Sequence, residues 1–161
     1  MKILITGCCG FIGFNFANFL AKSNKKITII GIDNLSDYYS VYYKKKRLGE
    51  LIKNKNFKFY KLDVNQYENL KKLYIKYAFD HIFHFAAQAG VRYSLINPKS
   101  YIKNNISGFF NILNLSLEFD IKKFFYASSC SVYGDVNKFP LKENCILRPK
   151  NIYGLIKKMN E

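Results

Sequence analysis

Cysteine, histidine, proline and acidic residues are all scarce in this sequence of 161 residues, and tryptophan is absent. The four cysteines lie at positions 8, 9, 130 and 145, so no Cys-x-x-Cys pair occurs. That spacing excludes the common zinc motifs and a disulfide framework, and it is typical of proteins in a reducing cytosol. We therefore expect no metal site.

Long apolar stretches are lacking as well. The first 23 residues begin as an apolar segment, but Gly7 and Gly10 interrupt it early, and Asn15 and Asn18 interrupt it later. No span of 18 apolar residues occurs, although a membrane helix needs roughly that many. The N-terminal segment also lacks the organisation of a signal peptide. The sequence therefore predicts a cytoplasmic protein that has no membrane partner.

The scarcity of acidic residues leaves a formal charge of +15, from 26 lysines and arginines against 11 aspartates and glutamates. The basic residues are scattered, and the only dense cluster is KKKR at 44–47. No nucleic-acid-binding module accompanies them. We interpret the charge as solvated surface and expect no nucleic-acid partner, with polyanion binding as the alternative. Attraction of an anionic small substrate is compatible with both interpretations.

Apolar and aromatic residues are abundant instead, at 49% and 17%, which favours a packed core over disorder. Short apolar segments alternate with longer amphipathic ones, and this alternation predicts an α/β fold, a Rossmann-like doubly wound parallel sheet. Strands are predicted at 2–6, 27–32, 57–62, 81–86 and 123–128. Helices are predicted near 11–22, 38–52, 66–78 and 99–119, with a last helix starting near 151. The irregular segment 33–45 is expected to lie beside a ligand.

The segment TGCCGFIG places three glycines, Gly7, Gly10 and Gly13, directly after the first strand and at the start of a helix. Glycines there let the backbone approach a pyrophosphate, whose charge the helix N-terminus favours. The spacing differs from G-x-G-x-x-G, so a simple tight turn is the alternative.

Two carboxylates follow at the ends of strands. Asp33 ends the second strand, where a dinucleotide-binding fold places the acceptor for the adenosine ribose, and a carboxylate there favours NAD over NADP. Asp63 follows the third strand and is in position to reach an adenine. For both residues a helix cap is the alternative.

Near the end of the chain, Tyr153 and Lys157 are four residues apart and share one face of the last predicted helix. A lysine beside a tyrosine prepares the phenol to act as a base. The segment YASSCSVYG at 126–134 follows the fifth strand, and its hydroxyls are expected to face a ligand cleft, with a serine-rich turn as the alternative. His81 and His84 lack a third ligand candidate nearby, so we interpret both as packing residues.

Taken in order, TGCCGFIG, DNLSDYY, HFAAQAGVRYS, YASSCSVYG and YGLIK resemble the motifs of the extended short-chain dehydrogenase/reductase family. Within that family the chain is most similar to the nucleotide-sugar epimerases, above all to the UDP-glucuronate 4-epimerase branch. The resemblance implies bound NAD, which takes a hydride from C4 of a UDP-sugar and returns it to the other face. It also implies a homodimer for a full-length family member.

The resemblance further implies roles for individual residues. Tyr153 would be the base, Lys157 would hold the nicotinamide ribose, and Ser129 would bond the C4 oxygen, with Ser128 and Ser131 as rivals. The residues implied in cofactor binding follow the motifs along the chain: Gly7, Gly10, Phe11, Ile12 and Gly13 at the pyrophosphate, Asp33 and Asn34 at the ribose, Asp63 and Val64 at the adenine, and Phe85, Ala86, Ala87 and Asn104 on the nicotinamide side.

The chain departs from the family in two ways. The related 4,6-dehydratases carry an Asp-Glu pair just after the catalytic hydroxyl, where this chain has Cys130 and Ser131, so dehydration is disfavoured. Family members are also longer. We therefore expect 1–161 to be an NAD-binding Rossmann domain that is truncated before its last strands, with the substrate domain absent and the isolated chain inactive. Other NAD-dependent sugar epimerases or reductases, such as UDP-glucose 4-epimerase, and a non-catalytic NAD-binding half-protein are the alternatives. The identity of the sugar stays open.

Overall fold

One parallel sheet of five strands organises the residues that this computed structural model describes, 1–136 and 139–161. The strand order is β3-β2-β1-β4-β5, and every neighbouring pair is parallel. Parallel neighbours cannot be joined by tight hairpins, so a crossover connects each strand to the next. The strands are β1 Lys2–Thr6, β2 Thr28–Asp33, β3 Phe57–Lys61, β4 His81–His84 and β5 Lys123–Tyr126.

Helices form the crossovers, and a π-helical segment at Ile102–Ser107 joins two of them into one continuous stretch. The helix predicted at 99–119 is therefore confirmed, although it consists of three parts. The helices are α1 Phe11–Ser23, α2 Val41–Leu51, α3 Tyr67–Tyr77, α4 Val91–Ile96, α5 Pro98–Tyr101, α6 Gly108–Glu118 and α7 Ile152–Asn160.

The two faces of the sheet each carry a layer of helices, as a doubly wound fold requires. Along β1 the side chains alternate between the layers: Ile3 and Ile5 pack in a core cluster with residues of α1, and Leu4 packs in the cluster of α3 and α6. The members of both clusters are almost fully buried. The Rossmann-like α/β fold predicted from the sequence is thus confirmed.

Several boundaries differ from the predicted ones. The strands predicted at 81–86 and 123–128 end two residues earlier, because the chain leaves the sheet at His84 and Tyr126 to form the loops above it. The helix predicted from 38 starts at Val41, so that Tyr38 and Tyr39 belong to the preceding loop. Helix α4 was not predicted, since six residues are too few to show a helical period.

Strand β5 forms the outer edge of the sheet, and within the described ranges it pairs with β4 alone. Phe125 on this strand stacks on Phe83 with ring centroids 4.8 Å apart, yet its side chain stays 44% exposed. The edge matters for the site, because the loop that follows β5 carries the serine-rich segment.

Candidate functional site

A cleft with an empty volume of about 730 Å³ lies at the carboxyl ends of the strands, where ligands bind in sheets of this kind. Nine of the predicted cofactor residues line the cleft, and Lys44 and Gln88 were not among the predicted residues but line it too. The nine are Gly7, Gly10, Asp33, Asn34, Val64, Phe85, Ala86, Ala87 and Asn104.

The glycine loop forms the floor of the cleft between β1 and α1. Gly7 has φ of +66°, a left-handed conformation, and a Cβ atom there would lie 2.7 Å from the backbone nitrogen of Ala86. Only glycine suits both constraints. The Gly10 N–H donates to the Gly7 carbonyl at 2.9 Å, which closes the turn. The turn thus brings the start of α1 to the edge of the cleft.

The first turn of α1 points towards this cleft without a side-chain cap. A helix leaves its first N–H groups without partners inside the helix, and these groups attract anions. Phe11 and Ile12 occupy this turn, and their side chains are 71% and 60% exposed. Their predicted contribution to ligand binding is consequently confined to the backbone, and neither side chain lines the cleft.

Asp33 is held in place by two backbone groups. Its Oδ2 accepts from the Cys9 N–H at 3.0 Å, and its Oδ1 accepts from the Leu35 N–H at 2.8 Å. Each carboxylate oxygen can accept a further hydrogen bond. Although it is 8% exposed, Asp33 lines the cleft and is thus a preorganised acceptor.

Asp63 does not line the cleft and instead organises its neighbours. Its Oδ2 accepts from Asn34 Nδ2 at 2.9 Å, and its Oδ1 accepts from Asn65 N and Nδ2, both at 2.8 Å. Burial raises the pKa of this carboxyl, but the hydrogen bonds from Asn34 and Asn65 outweigh burial and hold the pKa below its ordinary value. Asn65 also donates to Asn104 at 3.2 Å, which links two predicted ligand residues through one network.

Hydrogen bonds to buried residues at the ends of β1 and β4 hold the loop that follows β4. The Ala86 N–H donates to Thr6 Oγ1 at 3.0 Å, and the same hydroxyl lies 2.8 Å from His84 Nδ1. Burial, together with the charge of Lys157, lowers the pKa of His84 to about 3, so the imidazole is neutral and shares one hydrogen bond with this hydroxyl. The packing role predicted for His84 is therefore only part of its function.

The π-helical segment holds the same loop through a side chain, that of Asn105. Asn105 is 1% exposed, and its side chain accepts from the Gln88 N–H at 2.7 Å and donates to the Gln88 carbonyl at 2.9 Å. These two hydrogen bonds pair both the backbone N–H and the backbone carbonyl of Gln88, as a neighbouring strand would. The wider turn of a π-helix frequently occurs at functional sites. Here it carries Asn104 towards the cleft and Asn105 towards the loop.

Helix α7 carries Tyr153 and Lys157, and the structure confirms that both lie on one helix. Asn151 caps it by accepting from the Gly154 N–H at 2.7 Å. Gly154 allows close packing, because a Cβ atom there would lie 2.5 Å from the Ser131 carbonyl oxygen. The helix is thereby held against the serine-rich segment, and the Tyr153 ring lies 6.1 Å from the Tyr101 ring.

The three serines of the segment differ in their surroundings. Ser128 is exposed and its hydroxyl donates to Glu161. Ser129 is half-buried, and its hydroxyl accepts from the Ser131 N–H at 3.2 Å at the start of a short 3₁₀ turn, Cys130–Val132. That bond leaves the Ser129 proton free to donate. None of the three, nor Tyr153 or Lys157, lines the cleft itself. Their catalytic roles remain predictions.

Lys157 is 5% exposed, and its ammonium donates to the Ala127 carbonyl at 2.6 Å. Burial lowers its pKa from 10.5 to about 8. The unfolded chain therefore binds more protons than the folded chain between these values, so stability should rise with pH across that window, by about 3 kcal/mol in total. Urea unfolding at pH 7.5 and above should show this rise in the wild type, and Lys157→Met should lack it.

The control for this measurement is Lys158→Met, which removes an exposed ammonium from the next position of α7. It should retain the full pH-dependent rise. An undiminished rise in Lys157→Met would show that the buried ammonium is not its source.

Sequence reasoning missed the basic residues of α2. Lys44 lines the cleft, and Arg47 donates to the Cys9 carbonyl and to the Tyr39 hydroxyl, both at 3.2 Å. The signal was the KKKR cluster at 44–47, which we interpreted as solvated surface charge. That interpretation is wrong for Lys44, which is 4% exposed, because α2 turns this one position of the cluster inward.

Among residues 1–136 and 139–161, no three His, Cys, Asp or Glu side chains come together as a metal site would require. In the same part of the chain, no helix has the length and apolar character needed to cross a bilayer.

Comparison with known proteins places this geometry in a family. The family model described as GDP-mannose 4,6 dehydratase matches residues 4–161. Protein CapI of Staphylococcus aureus is 44% identical over 100% of this chain and 48% of its own length. The UDP-glucuronate 4-epimerase of Thermodesulfobacterium geofontis (strain OPF15) is 45% identical over 81% of this chain and 40% of its own length.

Solved structures agree with the sequence relatives. The UDP-glucuronic acid 4-epimerase from Bacillus cereus, in complex with UDP-glucuronic acid and NAD, superposes with a TM-score of 0.91 at 31% identity, over 99% of this chain and 50% of that one. The chain spans half or less of the length of these relatives. It belongs to the extended short-chain dehydrogenase/reductase family of nucleotide-sugar epimerases and dehydratases, and corresponds to the N-terminal half of its members.

Proposed function

We propose that this chain is the NAD-binding part of an NAD-dependent nucleotide-sugar epimerase that acts on a UDP-sugar of the glucuronate type, as two of its relatives are named for. The observation that carries the proposal is the cleft. It combines an uncapped helix N-terminus, the preorganised Asp33 acceptor and a rigid loop after β4, next to a helix that bears Tyr153 and Lys157. In this proposal 1–161 form the dinucleotide-binding domain, and a substrate domain lies in a part of the protein outside this chain.

The residues present fit a bound NAD. The first turn of α1 offers backbone N–H groups to the pyrophosphate, and Asp33 has acceptor capacity left for ribose hydroxyls. Val64, Ala86 and Ala87 give the cleft an apolar lining against which flat rings can pack. When bound, NAD would supply a hydride acceptor and donor for the sugar carbon.

The catalytic roles follow from the chemistry of the side chains. We assign Tyr153 as the base for the sugar hydroxyl proton and Ser129 as a hydrogen-bond donor to the same oxygen. Lys157 would stabilise the charge that forms on the phenol, since a buried ammonium acts more strongly than an exposed one. Cys130 and Ser131 provide no carboxylate pair, so loss of water from the sugar is disfavoured even though the matching family model carries a dehydratase description.

Residues 1–161 by themselves are expected to bind NAD+ without epimerising UDP-glucuronate, because the chains of the relatives are about twice as long. A ligand at 100 times its dissociation constant stabilises a protein by about 2.7 kcal/mol. We therefore expect NAD+ to raise the thermal midpoint measurably, and NADP+ to raise it less because Asp33 opposes a 2′-phosphate. Differential scanning fluorimetry measures the first effect, and chromatography of UDP-sugars tests for turnover.

Each alternative gives a different result in the same assays. An unchanged midpoint with NAD+ would reject the cofactor, and conversion of UDP-glucuronate by 1–161 would reject the expected inactivity. If a longer form of the protein converts UDP-glucose and not UDP-glucuronate, the alternative function of a UDP-glucose 4-epimerase is correct. A polyanion binder would instead respond to nucleic acid, with an affinity that falls steeply as salt rises.

A further inference from the structure

Cys8 and Cys9 are adjacent thiols inside the glycine loop, between Gly7 and Gly10. Both thiols are free and fully buried, and their sulfur atoms lie 3.9 Å apart. The proposed function gives neither thiol a role, since a loop that approaches a pyrophosphate needs glycine backbone and not sulfur. Two thiols at this distance are able to react with each other once one of them has been oxidised.

The backbone of the two cysteines connects several parts of the cleft. The Cys9 N–H donates to Asp33 Oδ2 at 3.0 Å, and the Cys9 carbonyl accepts from Arg47 at 3.2 Å. The Cys8 N–H donates to the Ile32 carbonyl at 3.2 Å. Since helix α1 begins just after this pair, the Cys8–Cys9 peptide fixes the Asp33 carboxylate relative to the start of the helix.

Joining the two sulfur atoms would strain this peptide. A disulfide needs about 2.05 Å between its sulfur atoms and normally joins Cα atoms that are about 4.4–6.8 Å apart. Adjacent residues place their Cα atoms only about 3.8 Å apart. The sulfur atoms of Cys8 and Cys9 must therefore approach from 3.9 Å, and the peptide between the two residues must change its orientation. Because the Cys9 N–H belongs to that peptide, its hydrogen bond to Asp33 would be weakened or lost.

We propose that hydrogen peroxide converts Cys8 and Cys9 into a vicinal disulfide, and that this disulfide weakens the binding of the dinucleotide. One thiol takes an oxygen atom from the peroxide and becomes a sulfenic acid, and one water is released. The second thiol then displaces the sulfenic oxygen as another water, and the S–S bond forms. The two thiols are oxidised and the peroxide is reduced, and a dithiol reverses the change by thiol–disulfide exchange. The inference rests on the proposed function, since it assumes that NAD occupies the cleft.

Burial makes the pair slow to react while the loop is closed. Burial raises the pKa of the Cys8 thiol, and the hydrogen bond with the Cys9 thiol adds to this rise, so the reactive thiolate is scarce. Oxidation therefore requires the glycine loop to open. A cofactor that binds the reduced loop more tightly than the oxidised loop opposes oxidation by the same factor at equilibrium. NAD+ should consequently protect the two thiols from peroxide.

The test uses a protein in which Cys130→Ser and Cys145→Ser leave the pair as the only thiols. After treatment with hydrogen peroxide, mass spectrometry should show that the peptide containing the pair has lost two hydrogens. The dissociation constant for NAD+, measured by calorimetry, should rise about tenfold or more, because a hydrogen bond to a charged group is worth that much. Dithiothreitol should restore both the mass and the affinity, and NAD+ present during the treatment should slow the reaction.

The matched control carries Cys8→Ala in addition and cannot form the disulfide. At a peroxide dose that adds no oxygen to Cys9, it should keep its NAD+ affinity. Both proteins contain the same two exposed methionines, so methionine oxidation affects them equally. An equal loss of affinity in both proteins would overturn the proposal, because oxidation elsewhere would explain it.

The remaining outcomes separate this inference from the proposed function. A reduced protein that does not bind NAD+ would reject the proposed cofactor. If the reduced protein binds NAD+, a disulfide that leaves the affinity unchanged, or no disulfide at any dose that leaves the protein folded, would reject this inference alone. Circular dichroism follows the fold, and unfolding on oxidation would also count against the inference, because binding would then be lost with the fold. If the serine variants do not fold, the wild type enters the same measurement, with peptide mapping to separate the pair from Cys130 and Cys145.

Discussion

Replacing Gly7 with alanine is expected to lower the free energy of unfolding by about 2–5 kcal/mol. A non-glycine residue at φ of +66° costs about 1–2 kcal/mol. The added Cβ would lie 2.7 Å from the Ala86 nitrogen and 2.9 Å from the Ala86 Cα. Backbone atoms cannot turn aside as the end of a side chain can, so overpacking adds about 1–3 kcal/mol. Urea unfolding followed by circular dichroism measures the loss.

The control is Gly49→Ala on helix α2, where no atom lies within 4 Å of the added Cβ. Alanine is favoured over glycine in a helix by up to about 1 kcal/mol, so this variant should be slightly more stable than the wild type. Comparing the two variants distinguishes the effect of replacing any glycine from the effect of replacing the glycine at the cleft. Equal stability of Gly7→Ala and the wild type would mean that the loops after β1 and β4 can move apart.

The same substitution should affect the ligand. Gly7 sets the turn that brings the start of α1 to the cleft, and Ala86, which also lines the cleft, lies directly against Gly7. A shift of either loop would displace the N–H groups proposed to bind the pyrophosphate. Any Gly7→Ala protein that remains folded should therefore bind NAD+ more weakly than Gly49→Ala does.

Acid should destabilise this protein through His84. Burial lowers the pKa of His84 from 6.5 to about 3 in the folded chain, and the charge of Lys157 acts in the same direction. Between those values the unfolded chain binds more protons than the folded chain, so stability falls as pH is lowered through this window. The shift corresponds to a loss of up to about 5 kcal/mol at its lower end.

Other groups titrate in the same pH range, so a variant that lacks His84 is needed to isolate the contribution of this residue. Protonation of Asp63 at low pH also destabilises the folded chain. Burial raises the pKa of this carboxyl, but hydrogen bonds from Asn34 and Asn65 hold it below the ordinary value. His84→Asn removes the imidazole and offers Thr6 an amide oxygen as acceptor. It should be less stable than the wild type near neutral pH, since a cavity is left among Phe109 and Phe124, but it should lose less stability on acidification.

His81→Asn serves as the control, because it removes the other histidine of β4 from a less buried position. Urea unfolding at several pH values between 7 and 4 gives the slope for each protein. The wild type and His81→Asn should share a steep slope, and His84→Asn should have a shallower one. Three equal slopes would show that His84 does not oppose protonation in the folded state.

Strands and cofactor motifs were predictable from the sequence because each is encoded by neighbouring residues. Apolar segments such as KILIT and ITIIGI favour strands that are buried on both faces of a parallel sheet. The glycine loop and Asp33 have fixed distances along the chain from those strands, so their positions follow from the strand order. Tyr153 and Lys157 lie on one helix face by spacing alone.

Partners that are distant in sequence were not predictable. Thr6 meets His84 across 78 residues, and Asn105 meets Gln88 across 17, so no local pattern identifies either pair. The π-helical segment that aims Asn104 and Asn105 in different directions also left no mark on the period of the helix predicted there.

Lys44 shows most clearly the difference between what the sequence determines and what the tertiary structure decides. By itself the sequence determined a Rossmann-like sheet, a glycine loop, an acceptor at Asp33 and a Tyr-Lys pair, because these depend on spacing within one element. Only the tertiary structure decided that Lys44 is buried in the same cleft as Asp33 while Lys45 and Lys46 face water. A charge cluster has no preferred face until the helix that carries it packs, and packing depends on residues from the whole chain.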